Sequence, residues 1–272
     1  MLIKIYNFLL TNCINYFIFS LETNNKIGLI MVDNFELIEQ YMEKQALTWK
    51  EGDCYYVQLL RRQADDPQKN GVKDPKYHGN MHSRSIKDYL IKSVDHLEDV
   101  KEDIKNLCNM FNVRAYIRLN KRNYKNIALE MMKHIAEQCA SGETYSSPFH
   151  LVASACGNCC QAGKDKTWIV DMDKEYLPYE KETIDMICQC MPISAKLHEL
   201  QDETGASYEE IKQKYVAENF FIVPTKSGKH IVCKPFNKMA FQQNWEQFCK
   251  SRGIELKCMD IHKDNPTILF VP

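Results

Sequence analysis

Residues 219–236 read NFFIVPTKSGKHIVCKPF. Two apolar runs rich in aromatic and β-branched residues, 219–225 and 230–236, flank Lys226-Ser227-Gly228-Lys229. Runs of that kind on either side of a short Gly-containing segment spell a β-hairpin. Upstream, 181–201 carries a helical pattern with a break point at Pro192, and TWIVDMD (167–173) is a strand. Downstream, KMAFQQNWEQFCKSR (238–252) is a helix with Phe241, Trp245 and Phe248 inward, and Gly253 follows as its C′ residue. IELKCMD (254–260) is another strand, and TILFVP (267–272) is the last apolar run. The order from 167 to 260 is therefore β-α-β-β-α-β, the split βαβ arrangement of ferredoxin-like and RRM-like domains. The expected class is α+β, with such a core at about 166–272.

A smaller α/β module precedes it. A short amphipathic helix is expected over 34–46, strands over 54–60 (CYYVQLL) and 113–119 (VRAYIRL), and helices over 95–111 and 123–140. Residues 63–83 hold Pro, Gly, Asp and Asn and read as a long loop, and 141–165 reads as a Ser/Gly turn segment. The expected division is a 31–150 module and a 151–272 module forming one composite unit. Residues 1–30 read as an upstream extension or tail. Their apolar stretch is interrupted by Asn7, Asn12 and Asn15, which weakens a targeting or membrane-anchor reading.

With 272 residues, 44% hydrophobic, the chain can bury a sizeable core. Its net charge of −1 is unlike that of a protein that coats nucleic acid without specificity, so any nucleic-acid contact needs a local basic patch. The 12 cysteines lack the spacing of a disulfide framework, which points to reduced thiols and a cytoplasmic setting.

The acidic residues fall at particular places on this frame. Asp171 and Asp173 close the first strand and, two residues apart, share one face. Like charges on one face repel unless something neutralises them, and Mg²⁺ or Mn²⁺ with oxygen ligands is the usual partner. Alone, an Asp-x-Asp is better explained by a solvated strand end or a helix cap. Two further features give it weight. The hairpin turn brings Lys226, Ser227, Gly228, Lys229 and His230, a set of donors and cations suited to a triphosphate. The 254–260 strand ends in Asp260, whereas Asp264, in HKDNP, reads as a Pro-bounded turn residue. Carboxylates holding two metal ions can activate a hydroxyl and stabilise a leaving pyrophosphate.

These residues resemble the archaeo-eukaryotic primase superfamily, the primase-polymerases. Its first motif, hydrophobic residues followed by Asp-hydrophobic-Asp, is matched by WIVDMD (168–173). Its small-x-His motif is matched by Gly228-Lys229-His230, and its hydrophobic-Asp motif by Met259-Asp260. The resemblance implies an RRM-like catalytic core and metal-dependent nucleotidyl transfer from NTPs or dNTPs to a nucleic-acid end. Asp171, Asp173 and Asp260 would be metal ligands and catalytic residues, using two Mg²⁺ or Mn²⁺ ions, and His230 would contact the nucleotide phosphates. The departure is that Ser227 lies three residues before His230, where many members have Ser-x-His. The expectation is a stand-alone core with no accessory domain after the third motif, whose initiation would call on a helicase or other replication proteins in trans, in a setting that resembles a phage or mobile element. A cyclase or RNA-end nucleotidyltransferase on the same frame, or an inactive nucleic-acid-binding module, fits the same motifs.

Two other features stand out. Arg114, Arg118 and Arg122, with Tyr116 among them, form a basic, aromatic-bearing strand suited to a template, with a solvated face as the equal alternative. Cys156, Cys159 and Cys160 form half of a zinc knuckle, and Cys188 and Cys190 could supply the rest, but ordinary buried cysteines explain them better than structural Zn²⁺.

Overall fold

The computed structural model describes residues 31–62, 83–142, 148–159, 166–192 and 205–272. Two antiparallel sheets with helices packed on them make the chain α+β. The first sheet has the order β1 (Val32–Asp33), β9 (Thr267–Val271), β4 (Arg114–Asn123), β2 (Asp53–Arg62), β3 (Ser83–Ile91). The second has the order β6 (Phe221–Pro224), β7 (Gly228–Cys233), β5 (Trp168–Asp173), β8 (Asp260–His262).

Period-two alternation assigns each strand residue to a core. On β5, Val170 and Met172 enter a cluster with Ile231, Cys233 and Ile261. That cluster is closed by Ile187 of α5 (Glu180–Cys190) and by Phe241 and Trp245 of α7 (Lys238–Arg252). The Trp245 indole donates to the Lys257 carbonyl at 2.9 Å, so its one polar atom is satisfied within the core. Ile169 points the other way. With Val223 and Val232 it joins the larger cluster that α1 (Phe35–Lys44) and α2 (Val94–Phe111) form against Tyr55, Val57, Leu59 and Ile117 of the first sheet. The second sheet thus has a helix-covered side and a side turned toward the first sheet, and Asp171 belongs to the latter by alternation with Ile169.

Polar side chains tie the two sheets together. Asn34, 3% exposed, donates to Pro224 of β6 at 2.9 Å and to Ile268 of β9 at 3.0 Å. Asn120 donates to the Thr167 carbonyl at 3.0 Å and accepts from the Thr167 N–H at 2.7 Å, which anchors the entry to β5. Asp264, in the turn between β8 and β9, accepts from Asn120 at 3.0 Å and also from Arg118 and Arg122. Arg122 is fully buried and spends its Nε on the Cys156 carbonyl at 3.0 Å.

Several elements differ from the expected boundaries. The 141–165 segment contains a helix, α4 (Pro148–Asn158), which buries Leu151 and Ala155, four residues apart, together with Cys156. Its Ser, Gly and Cys content hid that stripe. Its first residue is a proline, which suits the first turn because the missing N–H is unpaired there anyway. The 181–201 helix ends at Cys190, just before Pro192, and follows a 3₁₀ segment at Lys174–Tyr179. Residues 193–204 lie outside the described residues. A further helix, α6 (Tyr208–Asn219), was missed although Ser207 and Glu210 form a capping box. The expected strand over 254–260 reduces to Asp260–His262, so Asp260 begins a strand instead of ending one. The last run, β9, leaves the second sheet and inserts between β1 and β4 of the first. The expected helix at 123–140 is α3 (Tyr124–Ser141). The extension expected at 1–30 and most of the loop expected at 63–83 lie outside the described residues.

Breaking the Asp264 clamp strands a buried guanidinium. Asp264→Ala is expected to lower unfolding stability by about 3 kcal/mol or more, because one member of a buried ion pair is lost while the other stays. Urea denaturation measures this, and a loss under about 1 kcal/mol would show that Arg122 is not held by Asp264.

Candidate functional site

The site is built from strand register. Asp171 of β5 stands opposite His230 of β7 on one side and opposite Asp260 of β8 on the other. The cross-strand partners of one residue share its face, so three polar side chains form a row across three strands. Asp173, two residues on, stands opposite Gly228.

His230 is held at both ring nitrogens. Nε2 lies 3.4 Å from Asp171 Oδ1, and Nδ1 lies 2.8 Å from the Thr267 hydroxyl. A ring carrying its proton on Nε2 satisfies both contacts: it donates toward the carboxylate and accepts from Thr267. The hydrogen bond from His230 is the main influence that lowers the Asp171 carboxyl below the usual aspartate range. Burial opposes it, and the charges of His230, His262 and Arg62 assist it. His262 falls opposite Ile169, on the same strand face as Asp260.

The opposition of Asp171 and Asp260 is the unusual feature, because like charges directly across a ladder destabilise it. Asp260 is exposed and the Asp171 side chain is 36% exposed, so both can be reached from solvent. Among the described residues no group of three or more His, Cys, Asp and Glu side chains is already gathered closely enough to enclose a metal ion. The chemistry of the donor set nonetheless suits a hard divalent cation: carboxylate oxygens on adjacent strands, with Asp173 one strand repeat away.

The hairpin differs from its expected role. A Cβ on residue 228 would lie 1.9 Å from the Met172 carbonyl oxygen, so glycine is required by close approach of the two strands. The Gly228 N–H donates to the Thr225 hydroxyl at 3.0 Å, and the Thr225 N–H donates to the Gly228 carbonyl at 2.9 Å. The turn is closed on itself and does not offer that N–H to a phosphate. Ser227 donates to Asp173 at 3.2 Å. Lys229 alternates with His230, so it lies on the opposite side of the sheet from Asp171, and its Nζ pairs with Glu180 at 2.6 Å. Lys226 alone among the expected cations is exposed at the turn.

The basic strand is also revised. Arg122 has no exposed surface, and Arg118 is engaged by Asp264, so neither is presented as an open patch for a template. Arg114 is half-buried. The zinc pairing is disfavoured by placement. Cys156 and Cys159 pack in a cluster with Cys54, whereas Cys188 and Cys190 lie in the core of the second sheet. Burial pushes the Cys156 thiol up to about 12 and Cys188 to about 11, against the thiolate that zinc needs. Cys160 lies outside the described residues.

Sequence reasoning missed Thr267 and His262. His262 carried a signal, since Asp-Ile-His places it two residues from Asp260. Thr267 carried none, because it reaches His230 only by the crossing of the last strand into the other sheet. Comparison with known proteins supplies no neighbour: no family model, curated protein or solved structure matches the chain.

Two outcomes are expected here. Gly228→Ala should cost at least about 2 kcal/mol of stability, measured by urea denaturation, because backbone must move to admit the methyl. Asp171 contributes stability that is present above the usual aspartate range and is lost as pH falls through its depressed value. Asp171→Asn in a chelator-containing buffer should therefore show a shallower loss of stability on acidification than wild type. Parallel curves would remove the His230–Asp171 interaction from the account.

Proposed function

We propose that the chain is a metal-dependent nucleotidyltransferase of the primase-polymerase kind, joining nucleotides from NTP or dNTP to a nucleic-acid end. The observation that carries this reading is the register row of His230, Asp171 and Asp260 across β7, β5 and β8. The first, second and third motifs of the resemblance thereby meet in one row, though 89 residues separate Asp171 from Asp260 in the chain. The strand order β6-β7-β5-β8, with the first and third strands adjacent at the centre, supports the RRM-like form of the core.

In this reading Asp171 and Asp260 hold the cation, with Asp173 at the outer end of β5. Bound divalent ions would supply Lewis-acid activation of a hydroxyl and neutralise charge on a departing pyrophosphate. The chain's own contribution is positional. His230, buttressed by Thr267, orients the Asp171 carboxylate and presents an imidazole edge beside it. The backbone on both sides of Asp171 is fixed by ladders to β7 and β8, so the carboxylate is held on a rigid element. Template, primer and nucleotide are the implied partners, and among the described residues no helix is long and apolar enough to cross a membrane.

The test is incorporation of labelled nucleotide on a primed template with Mg²⁺ or Mn²⁺. Asp171→Ala and Asp260→Ala are each expected to lower the rate by at least about a hundredfold with the circular-dichroism spectrum unchanged. Extension by both variants at the wild-type rate would contradict the assignment. Template-independent transfer to RNA ends, abolished by the same substitutions, would favour the RNA-end reading instead.

A further inference from the structure

Helix α3 has an apolar side that no described element covers. Its inward side is accounted for: Ile127 is 2% exposed, and Met131 packs with Ala155 and Cys156 of α4. On its polar side Glu130 accepts from Asn158 at 3.1 Å. On the outward side stand Leu129 and Met132, 63% and 65% exposed, with Ala128, Ala136 and Cys139 exposed beside them. Lys125, Ala128, Met132, Ile135 and Cys139 follow one another at steps of 3, 4, 3 and 4 residues. That is the spacing of a helix–helix seam, in which each position meets a second helix. A helix that is apolar on two sides is ordinarily buried on both. Single exposed apolar residues need no explanation, but a continuous row about four turns long does.

The charges of α3 indicate what covers the row. Acids in the first turn and bases in the last favour a helix. α3 has Lys125 in its first turn, no acid there and no base in its last turn. This pattern is reversed, and an antiparallel copy of the same helix corrects it. With a two-fold axis between residues 133 and 134, Lys125 of each copy lies beside the C-terminal turn of the other, where the carbonyls carry partial negative charge. Lys125 pairs with Glu51 at 2.8 Å, but its side chain is 58% exposed and its ammonium has three donors to share. The same axis sets Met132 against Ile135, and Ala128 against Cys139, of the second copy. Apolar then meets apolar along the row, with the large pairs at the middle and the small pairs toward both ends. Beside the row, Lys133 and Glu137 lie 4.0 Å apart and balance each other, so this rim adds no net charge against a second copy.

We propose that the outward face of α3 is a dimer interface, where two copies of this chain pair antiparallel about a two-fold axis near residues 133 and 134. The contact is one helix wide, so the dimer dissociates on dilution. The proposal uses no residue of the acidic row and stands apart from the nucleotidyltransferase reading.

The experiment is sedimentation velocity of the full chain over a wide range of concentration. Wild type is expected to pass from monomer to dimer as concentration rises. Met132→Glu sets two carboxylates near the axis and is expected to weaken dimerisation by at least about a hundredfold. Because Met132 is exposed, this variant should keep the wild-type circular-dichroism spectrum and the urea midpoint measured at low concentration. Met239→Glu alters a methionine of α7 that is 72% exposed and should dimerise as wild type does. Orientation is read by cross-linking with diamide, which takes up the two electrons and two protons that a pair of thiols gives up in forming a disulfide. Ala128→Cys is expected to cross-link to Cys139 of the second copy, identified by peptide mass, and adding Cys139→Ser should abolish that product. A wild-type chain that stays monomeric at every concentration, or a dimer that Met132→Glu leaves intact, would overturn the proposal. Wild-type chains cross-linked from Cys139 to Cys139 would overturn the antiparallel arrangement, because the axis separates those two thiols by about 16 Å along the helices.

Discussion

Asp171 lies between His230 and Asp260 because β5 is the strand that both β7 and β8 flank. That pairing sets the acidic residues on a common face and puts Val170 and Met172 into the core beneath. A one-residue slip in either ladder would exchange the two sets, burying carboxylate and exposing apolar side chains. The register is therefore protected by the hydrophobic core, and the site inherits that protection. The cost is local: two carboxylates face each other across the β5–β8 ladder, with His230 beside only one of them, and such strain is more readily understood at a binding site than at a structural one.

The rest of the molecule bears on keeping β8 and β9 in place. Asp264 sits in the turn joining them and gathers Arg118, Asn120 and Arg122 of β4. On one side of that turn is Asp260, and on the other is Thr267, which holds His230. One clamp thus locates groups on both sides of the row. It also explains why a strand that looks basic in sequence does not present a basic surface: its charges are used internally.

Much of this was legible in the sequence. The hairpin, the central strand and the long helices announced themselves through periodicity, and Asp171 and Asp173 through their placement at the end of an apolar strand, whereas Asp260 was expected to end a strand and begins one. What was not legible depended on contacts distant along the chain. Nothing local in HKDNP reports that Asp264 meets Arg122, and nothing in TILFVP reports that it joins the first sheet. The hairpin lysines misled for a different reason. Composition suggested a phosphate cradle, but alternation sends Lys229 to the helix side, a point the sequence did contain once His230 was put beside Asp171. Helix α6 was passed over despite its capping box, because its face toward the core is weak and most of its residues are charged or polar.

The central claim is that Asp171 and Asp260 together hold a divalent cation beside His230. Paramagnetic broadening by Mn²⁺ in the NMR spectrum of the histidine side chains tests it most directly. The account predicts that substoichiometric Mn²⁺ selectively broadens His230 and His262, leaves the remote His96 and His134 sharp, and loses this selectivity when Asp171 and Asp260 are both changed to Asn. Uniform weak broadening of all four, or selective broadening that survives in the double variant, would contradict it.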